Sequence, residues 1–148
     1  MFKKILIAND GSEGAFTALD VALWLAHSHK AQLHMISVEE IQWIPGSREE
    51  IIGDKELADR KFAAVVEKAL TEAKRHRVKL TTHIVVGHAV PAIVDFIERD
   101  GFDLLVTGFM GHSALYNRVI GSTTDRLVEL APCTVLVVKE RRHEMNWS

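Results

Sequence analysis

One cysteine, Cys133, stands in the whole sequence, so the chain can close no internal disulfide. A charge excess is also lacking. Lys and Arg total 18 against 20 Asp and Glu, a net charge of −2, which excludes a strongly basic nucleic-acid-binding protein and leaves room only for a local patch. No apolar run approaches the ~18 residues of a membrane span. The run in Met1–Asn9 (MFKKILIAN) is too short for a signal-peptide core, and no small-residue cleavage site follows it. With neither signal nor span, and a lone cysteine, the expectation is a cytoplasmic protein with no membrane and no nucleic-acid partner.

Several chemical motifs are missing as well. There is no G-x-x-x-x-G-K-[ST], which excludes a Walker-type P-loop. No G-x-G-x-x-G follows the first apolar run, which argues against a dinucleotide-binding Rossmann domain. A receiver domain would need an acidic pair after the first strand and an Asp after the third, where the chain has Asn9-Asp10 and Val86-Gly87-His88. The eight histidines show no clustered ligand spacing. His27 and His29 are two apart, on different faces of a helix, and His34 and His76 have no ligand-spaced partner, so no metal site is expected. No Ser-His-Asp or Cys-His set emerges, and no catalytic residue is assigned. Cys133 opens an apolar run and reads as an inert core thiol. Glu39-Glu40 and Glu49-Glu50 read as solvated charge.

What is present is an alternation. Apolar, β-branched runs occur at Lys4–Ala8, Gln32–Val38, Thr82–Val86, Leu104–Thr107 and Thr134–Val138. Several are apolar at nearly every position, as in strands of a parallel sheet covered on both faces. Between them, apolar residues recur at spacings of three and four over Gly14–Ser28, Lys55–His76, Pro91–Arg99 and Ser122–Ala131. This order predicts a doubly wound α/β domain with helices on both faces of the sheet. At 148 residues the chain suits a single domain, residues 1–140, with a polar tail, residues 141–148, that is expected to fray. The segment Glu39–Asp54 shows no period and reads as a long loop, either a surface excursion or a flap over a ligand.

Two segments carry the chemistry. After the fourth run, Gly108 and Gly111 are followed by nine residues and then by Gly121-Ser122-Thr123 at a helix start. Glycines let backbone approach a ligand closely, and a helix start offers unpaired N–H groups and partial positive charge. Together they make a potential phosphate cradle. Taken singly, each glycine is a turn former, and Ser122 is a helix cap with Asp125 at capping-box spacing. The set of three glycines and a hydroxyl pair is what points to phosphate. Gly121 is expected to serve both the turn and the phosphate's approach. His112 lies inside this loop, where it could touch a phosphate. The second segment, Asn9-Asp10-Gly11-Ser12, ends the first strand, where open α/β sheets bind ligands. By itself it reads as a turn leading to a helix cap, yet an acidic side chain there can accept hydrogen bonds from a ribose diol.

The pattern Gly108-x2-Gly111-x9-Gly121-Ser122 and the strand ending Asp10-Gly11-Ser12 resemble the universal stress protein family in its ATP-binding form, with a match running from Lys4 to Lys139. Phe109-Met110 stand where many members have a small polar pair. The resemblance implies an adenine nucleotide alpha hydrolase-like fold, a five-stranded parallel sheet of order 3-2-1-4-5. It implies that Asp10 holds the ribose hydroxyls, that Val38 and Ala8 line the adenine pocket, and that Gly108 admits the ribose. The N–H groups of Gly111, Ser122 and Thr123 and the Ser122 hydroxyl would bind phosphates. The implied ligand is ATP or AMP, with Mg²⁺ accompanying ATP, in a stress-response or signalling module. The fifth strand would be an apolar sheet edge, which invites pairing, and the family commonly forms homodimers there. Two other functions remain in play. A slow ATPase or autophosphorylating enzyme would use Asp10 and Ser122 or Thr123, with Arg118 the nearest fixed positive charge, but no second acidic residue or P-loop lysine supports it. A protein-interaction dimer with an empty crevice is disfavoured by the intact glycine spacing.

Overall fold

In the computed structural model, the β-branched runs form β1 (Lys4–Ala8), β2 (Gln32–Glu39), β3 (Leu80–Val86), β4 (Leu104–Gly108) and β5 (Thr134–Val138). Residues 1–40, 48–109 and 120–139 are described by the structure, with backbone alone for residues 48–54. All four ladders are parallel and the order is β3-β2-β1-β4-β5, as the family resemblance implies. The helices are α1 (Glu13–His29), α2 (Arg48–Arg75), α3 (Ala89–Asp100) and α4 (Ser122–Leu130).

Strand alternation sends successive side chains to opposite faces, and both faces are covered. Ile5 and Ile7 enter one layer with Leu19 and Leu23 of α1 and Phe62 and Val65 of α2. Leu6 and Leu105 enter the other with Ile93, Phe96 and Ile97 of α3 and Leu127 of α4. Ile5, Leu6 and Ile7 are wholly buried, each such side chain contributing about 1.5–3 kcal/mol. Double coverage explains why the central strands read as unbroken apolar runs. Cys133 packs against the second layer, and burial pushes its thiol above the ordinary range, in keeping with an inert thiol. No helix among the described residues is long and apolar enough to cross a membrane.

The structure departs from the sequence reading in three places. First, α2 begins at Arg48, so residues 48–54 are helical rather than part of a long loop, and Glu49 and Glu50 lie on a helix. Gly53 and the adjacent pair Ile51-Ile52 break the three-four spacing that would have revealed this turn. The rest of the expected loop or flap, residues 41–47, lies outside the described residues, as does the tail. Second, Glu39 is not solvated charge. It closes β2 and is 1% exposed. Third, two of the histidines dismissed as isolated acquire partners. Parallel pairing of β2 with β3 sets His34 Nδ1 2.9 Å from His83 Nε2, with the rings stacked, while His76 approaches Glu72 and Asp20.

Close packing at the carboxyl end of the sheet fixes two glycines. A Cβ on Gly108 would lie 3.0 Å from the backbone carbon and oxygen of Gly14, so the end of β4 touches the first turn of α1 with no room for a side chain. Gly11 adopts a left-handed φ of +87°, and a Cβ there would stand 2.8 Å from Val65 Cγ2 of α2. These contacts draw the ends of β1 and β4 together under α1 and α2.

Candidate functional site

Beyond β1 the chain turns sharply on its own side chains. Asn9, buried, accepts the Gly11 N–H on Oδ1 at 2.9 Å, and Asp10 Oδ1 accepts the Ser12 N–H at 2.9 Å. The Ser12 hydroxyl then accepts the Ala15 N–H at 3.2 Å and caps α1. The Ser37 hydroxyl donates to the Asn9 carbonyl at 2.7 Å, tying the turn to β2. Asp10 is thereby held, partly exposed, at the point where the sheet order reverses between β1 and β4.

Across from it, α4 is anchored to β4. The buried Thr124 hydroxyl donates to the Gly108 carbonyl at 2.8 Å, and the Gly121 N–H donates to the Phe109 carbonyl at 2.9 Å. The Phe109 N–H in turn donates to the Val138 carbonyl of β5. The residues that leave β4 and enter α4 are thus pinned side by side. Gly121, not Ser122, is the capping residue, and it has no side chain with which to cap. Ser122 is the first helical residue and is exposed. Its expected capping box with Asp125 is absent because capping falls one position earlier; the Asp125 N–H donates to the Gly121 carbonyl in the first helical hydrogen bond. Gly121 has φ −62° and ψ 147°, open to any residue, so the turn itself does not require glycine.

Other helix starts are served differently. At α1 the Ser12 hydroxyl caps, and at α3 the Glu40 carboxylate accepts the Ala89 N–H at 2.9 Å in place of His88, which makes no capping bond. At α4, no described side chain caps the first-turn N–H groups, which leaves a partial positive charge at that end.

Between the two segments lies a cavity of about 480 Å³, lined by Ala8, Asp10, Val38, Gly108, Gly121, Ser122 and Thr123 together with Asn9, Ser12, Glu39, Glu40, Ala58, Lys61, Phe62, Thr107 and Thr124, among others. Its size falls in the roughly 300–1,000 Å³ range of small-molecule sites. Seven of the nine residues singled out from sequence therefore meet in one crevice. Gly111, His112 and Arg118 lie outside the described residues. Gly108 lines the crevice, but the space its missing side chain would fill belongs to α1.

A model of the Universal stress protein family matches residues 1–139. The chain belongs to this family. A universal stress protein of Methanocaldococcus jannaschii is 31% identical over 148 residues, spanning 97% of this chain and 86% of that one. The solved universal stress protein UspA of Lactobacillus plantarum superposes with a TM-score of 0.83 at 26% identity, over 93% of this chain and 97% of that one. A universal stress protein solved in complex with cAMP shares the fold, with a TM-score of 0.73 at 24% identity, over 93% and 97% of the two chains.

In this universal stress protein the crevice has a wall that sequence patterning did not reveal. Ala58, Lys61 and Phe62 of α2 reach it across the sheet, and Lys61 is the cation among its described lining residues. Its only signal in the sequence was a position on α2 one residue before a core Phe. Glu39 also lines it, and Glu39 Oε1 has no hydrogen-bond partner among the described residues. Burial, followed by the nearby Asp59 carboxylate, pushes the Glu39 carboxyl above its ordinary value of 4.5, with Lys55 opposing.

Because its folded value is raised, the folded chain binds the Glu39 proton more tightly than the unfolded chain does between about pH 4.5 and that raised value. The Glu39 contribution to stability is therefore present below about pH 4.5 and lost as pH climbs through the folded value. Glu39→Gln is expected to raise the thermal midpoint relative to the natural chain at pH 8 and to lose that advantage at about pH 4. Melting curves at both values check this, and a difference independent of pH contradicts it.

Proposed function

We propose that this universal stress protein binds an adenine nucleotide, ATP or AMP, in the crevice, and that occupancy alters dimer contacts or partner choice in a stress-response or signalling role. One observation carries the reading. The first turn of α4, capped by no described side chain, and the Asp10 turn line a single cavity at the reversal point of the sheet. Helix-terminal N–H groups suit phosphate oxygens and a carboxylate suits a ribose diol.

The roles follow from position. Asp10 accepts hydrogen bonds from the ribose hydroxyls, and Ala8 and Val38 border the adenine. Gly108 flanks the ribose. The Ser122 and Thr123 N–H groups and the Ser122 hydroxyl take the phosphates, and Gly121 leaves space for their approach. Gly111 and His112 complete the phosphate end in this reading, and Mg²⁺ accompanies ATP. Lys61 adds positive charge to the same crevice. The cAMP bound by a protein of the same fold joins the same three components: adenine, ribose and phosphate. A cytoplasmic location without membrane or nucleic-acid partners belongs to this reading and rests on the lone cysteine and the balanced charge.

Gly121→Val tests the cradle cleanly, because a φ of −62° accepts valine without backbone strain. The ATP dissociation constant from isothermal titration is expected to rise at least about tenfold, or ~1.4 kcal/mol, in a chain whose circular dichroism shows it still folded. Unchanged affinity contradicts the placement.

The partner in this proposal is a second copy of the chain. β5 is an outer strand whose Val135–Val138 stay half-buried in one protomer, and an apolar edge favours strand pairing. Light scattering at micromolar concentration is expected to give twice the chain mass of 16.6 kDa; the mass of a monomer contradicts pairing.

A further inference from the structure

Away from the crevice, α1 and α2 share one face of the sheet and bring a second set of donor atoms together. Glu72 and His76 are four residues apart on α2, so both project from the same side of the helix. Asp20 of α1 meets them. One oxygen from each carboxylate and one imidazole nitrogen lie within 4.8 Å of one another, all on partly buried residues. His76 Nε2 stands 4.0 Å from Glu72 Oε2. Ligands held about 2.0–2.1 Å from a zinc ion are roughly 3.3 Å apart. Movements of about 1 Å at the ends of these side chains would therefore bring the three atoms onto one ion.

The two carboxylates stand close enough to feel each other. Burial and the Glu72 carboxylate push the Asp20 carboxyl above its ordinary range, even though His76, Arg75 and Lys68 act in the opposite direction. Arg75 Nη1 reaches both Glu72 oxygens, at 3.0 and 3.2 Å, yet the Arg75 side chain is 66% exposed. An exposed pair of this kind contributes little, and the guanidinium can turn to water when Glu72 takes another partner.

We propose that Asp20, Glu72 and His76 form a binding site for a divalent transition-metal ion of the zinc type, with water completing its coordination. One imidazole nitrogen and two carboxylate oxygens suit such an ion better than an all-oxygen donor set, which selects calcium or magnesium. The bound ion clamps α1 to the later turns of α2, the helix whose earlier turns supply Ala58, Lys61 and Phe62 to the crevice.

The test is a titration of the full chain with Co²⁺ followed by visible absorption, paired with thermal melting in Zn²⁺. A saturable one-to-one cobalt spectrum is expected, and a thermal midpoint raised by about 5–10 °C at a hundredfold excess of Zn²⁺ over its dissociation constant. Asp20→Asn and His76→Gln should each weaken binding at least about tenfold, with metal-free circular dichroism unchanged; if one variant fails to fold, the other decides. His83→Gln, which removes the stacked histidine pair as a competing ligand source, should leave binding intact. The proposal is overturned by the absence of a saturable spectrum at millimolar cobalt, by undiminished binding in the Asp20 and His76 variants, or by loss of binding in His83→Gln.

Discussion

The hydrogen bond from the Thr124 hydroxyl to the Gly108 carbonyl, at 2.8 Å and buried, fixes where α4 begins. With the Gly121 N–H on the Phe109 carbonyl, it locks the start of that helix to the end of β4. Both bonds are donated by residues that line the crevice, so they set its wall directly. The consequence is positional. A helix terminus with no described capping side chain is set across from Asp10, with close packing against α1 and α2 on either side. No side chain fits between Gly108 at the end of β4 and Gly14 of α1, and one on Gly11, in the turn after β1, would crowd Val65 of α2. Electrostatic preference for an anion at the helix start is modest in itself, about 0.3–1 kcal/mol when exposed. It gains effect when several donors are held together before the ligand arrives, because the cost of ordering them has been met in folding.

Much of this arrangement was legible in the residues. Unbroken apolar runs such as Lys4–Ala8 located doubly covered strands, since burial on both faces removes the alternation of a half-exposed strand. The glycine spacing from Gly108 to Gly121 and the Asp10 turn located the two sides of the crevice. Other features were hidden for identifiable reasons. Glu39 looked like surface charge because its burial arises from β2 continuing one residue past its apolar run, under neighbours distant in sequence. Gly53 masked the first turns of α2, and with them the helix that brings Lys61 to the crevice. Ser122 has the composition of a cap, but the chain enters α4 one residue earlier, so capping falls to Gly121. The His34–His83 pair and the Asp20–Glu72–His76 group depend on strand register and helix packing, which no local spacing reports.

α2 links the two regions of chemical interest. Its middle turns carry core residues Phe62, Val65 and Ala69, and the turns around Lys61 face the crevice. Its last turns bring Glu72 and His76 against Asp20 of α1. Apolar packing of Phe62, Val65, Ala69 and Ala73 holds the helix to the sheet.

The central claim is that the first-turn amides of α4 and the Asp10 turn bind one ligand together. Amide nitrogen–proton correlation spectra recorded during an ATP titration test it most directly. The account requires saturable shifts that are largest at Ser122, Thr123 and Asp10, with Val38 moving at the same ligand concentration. Shifts centred on the outer edge of β3, or none at these amides at saturating nucleotide, would contradict it.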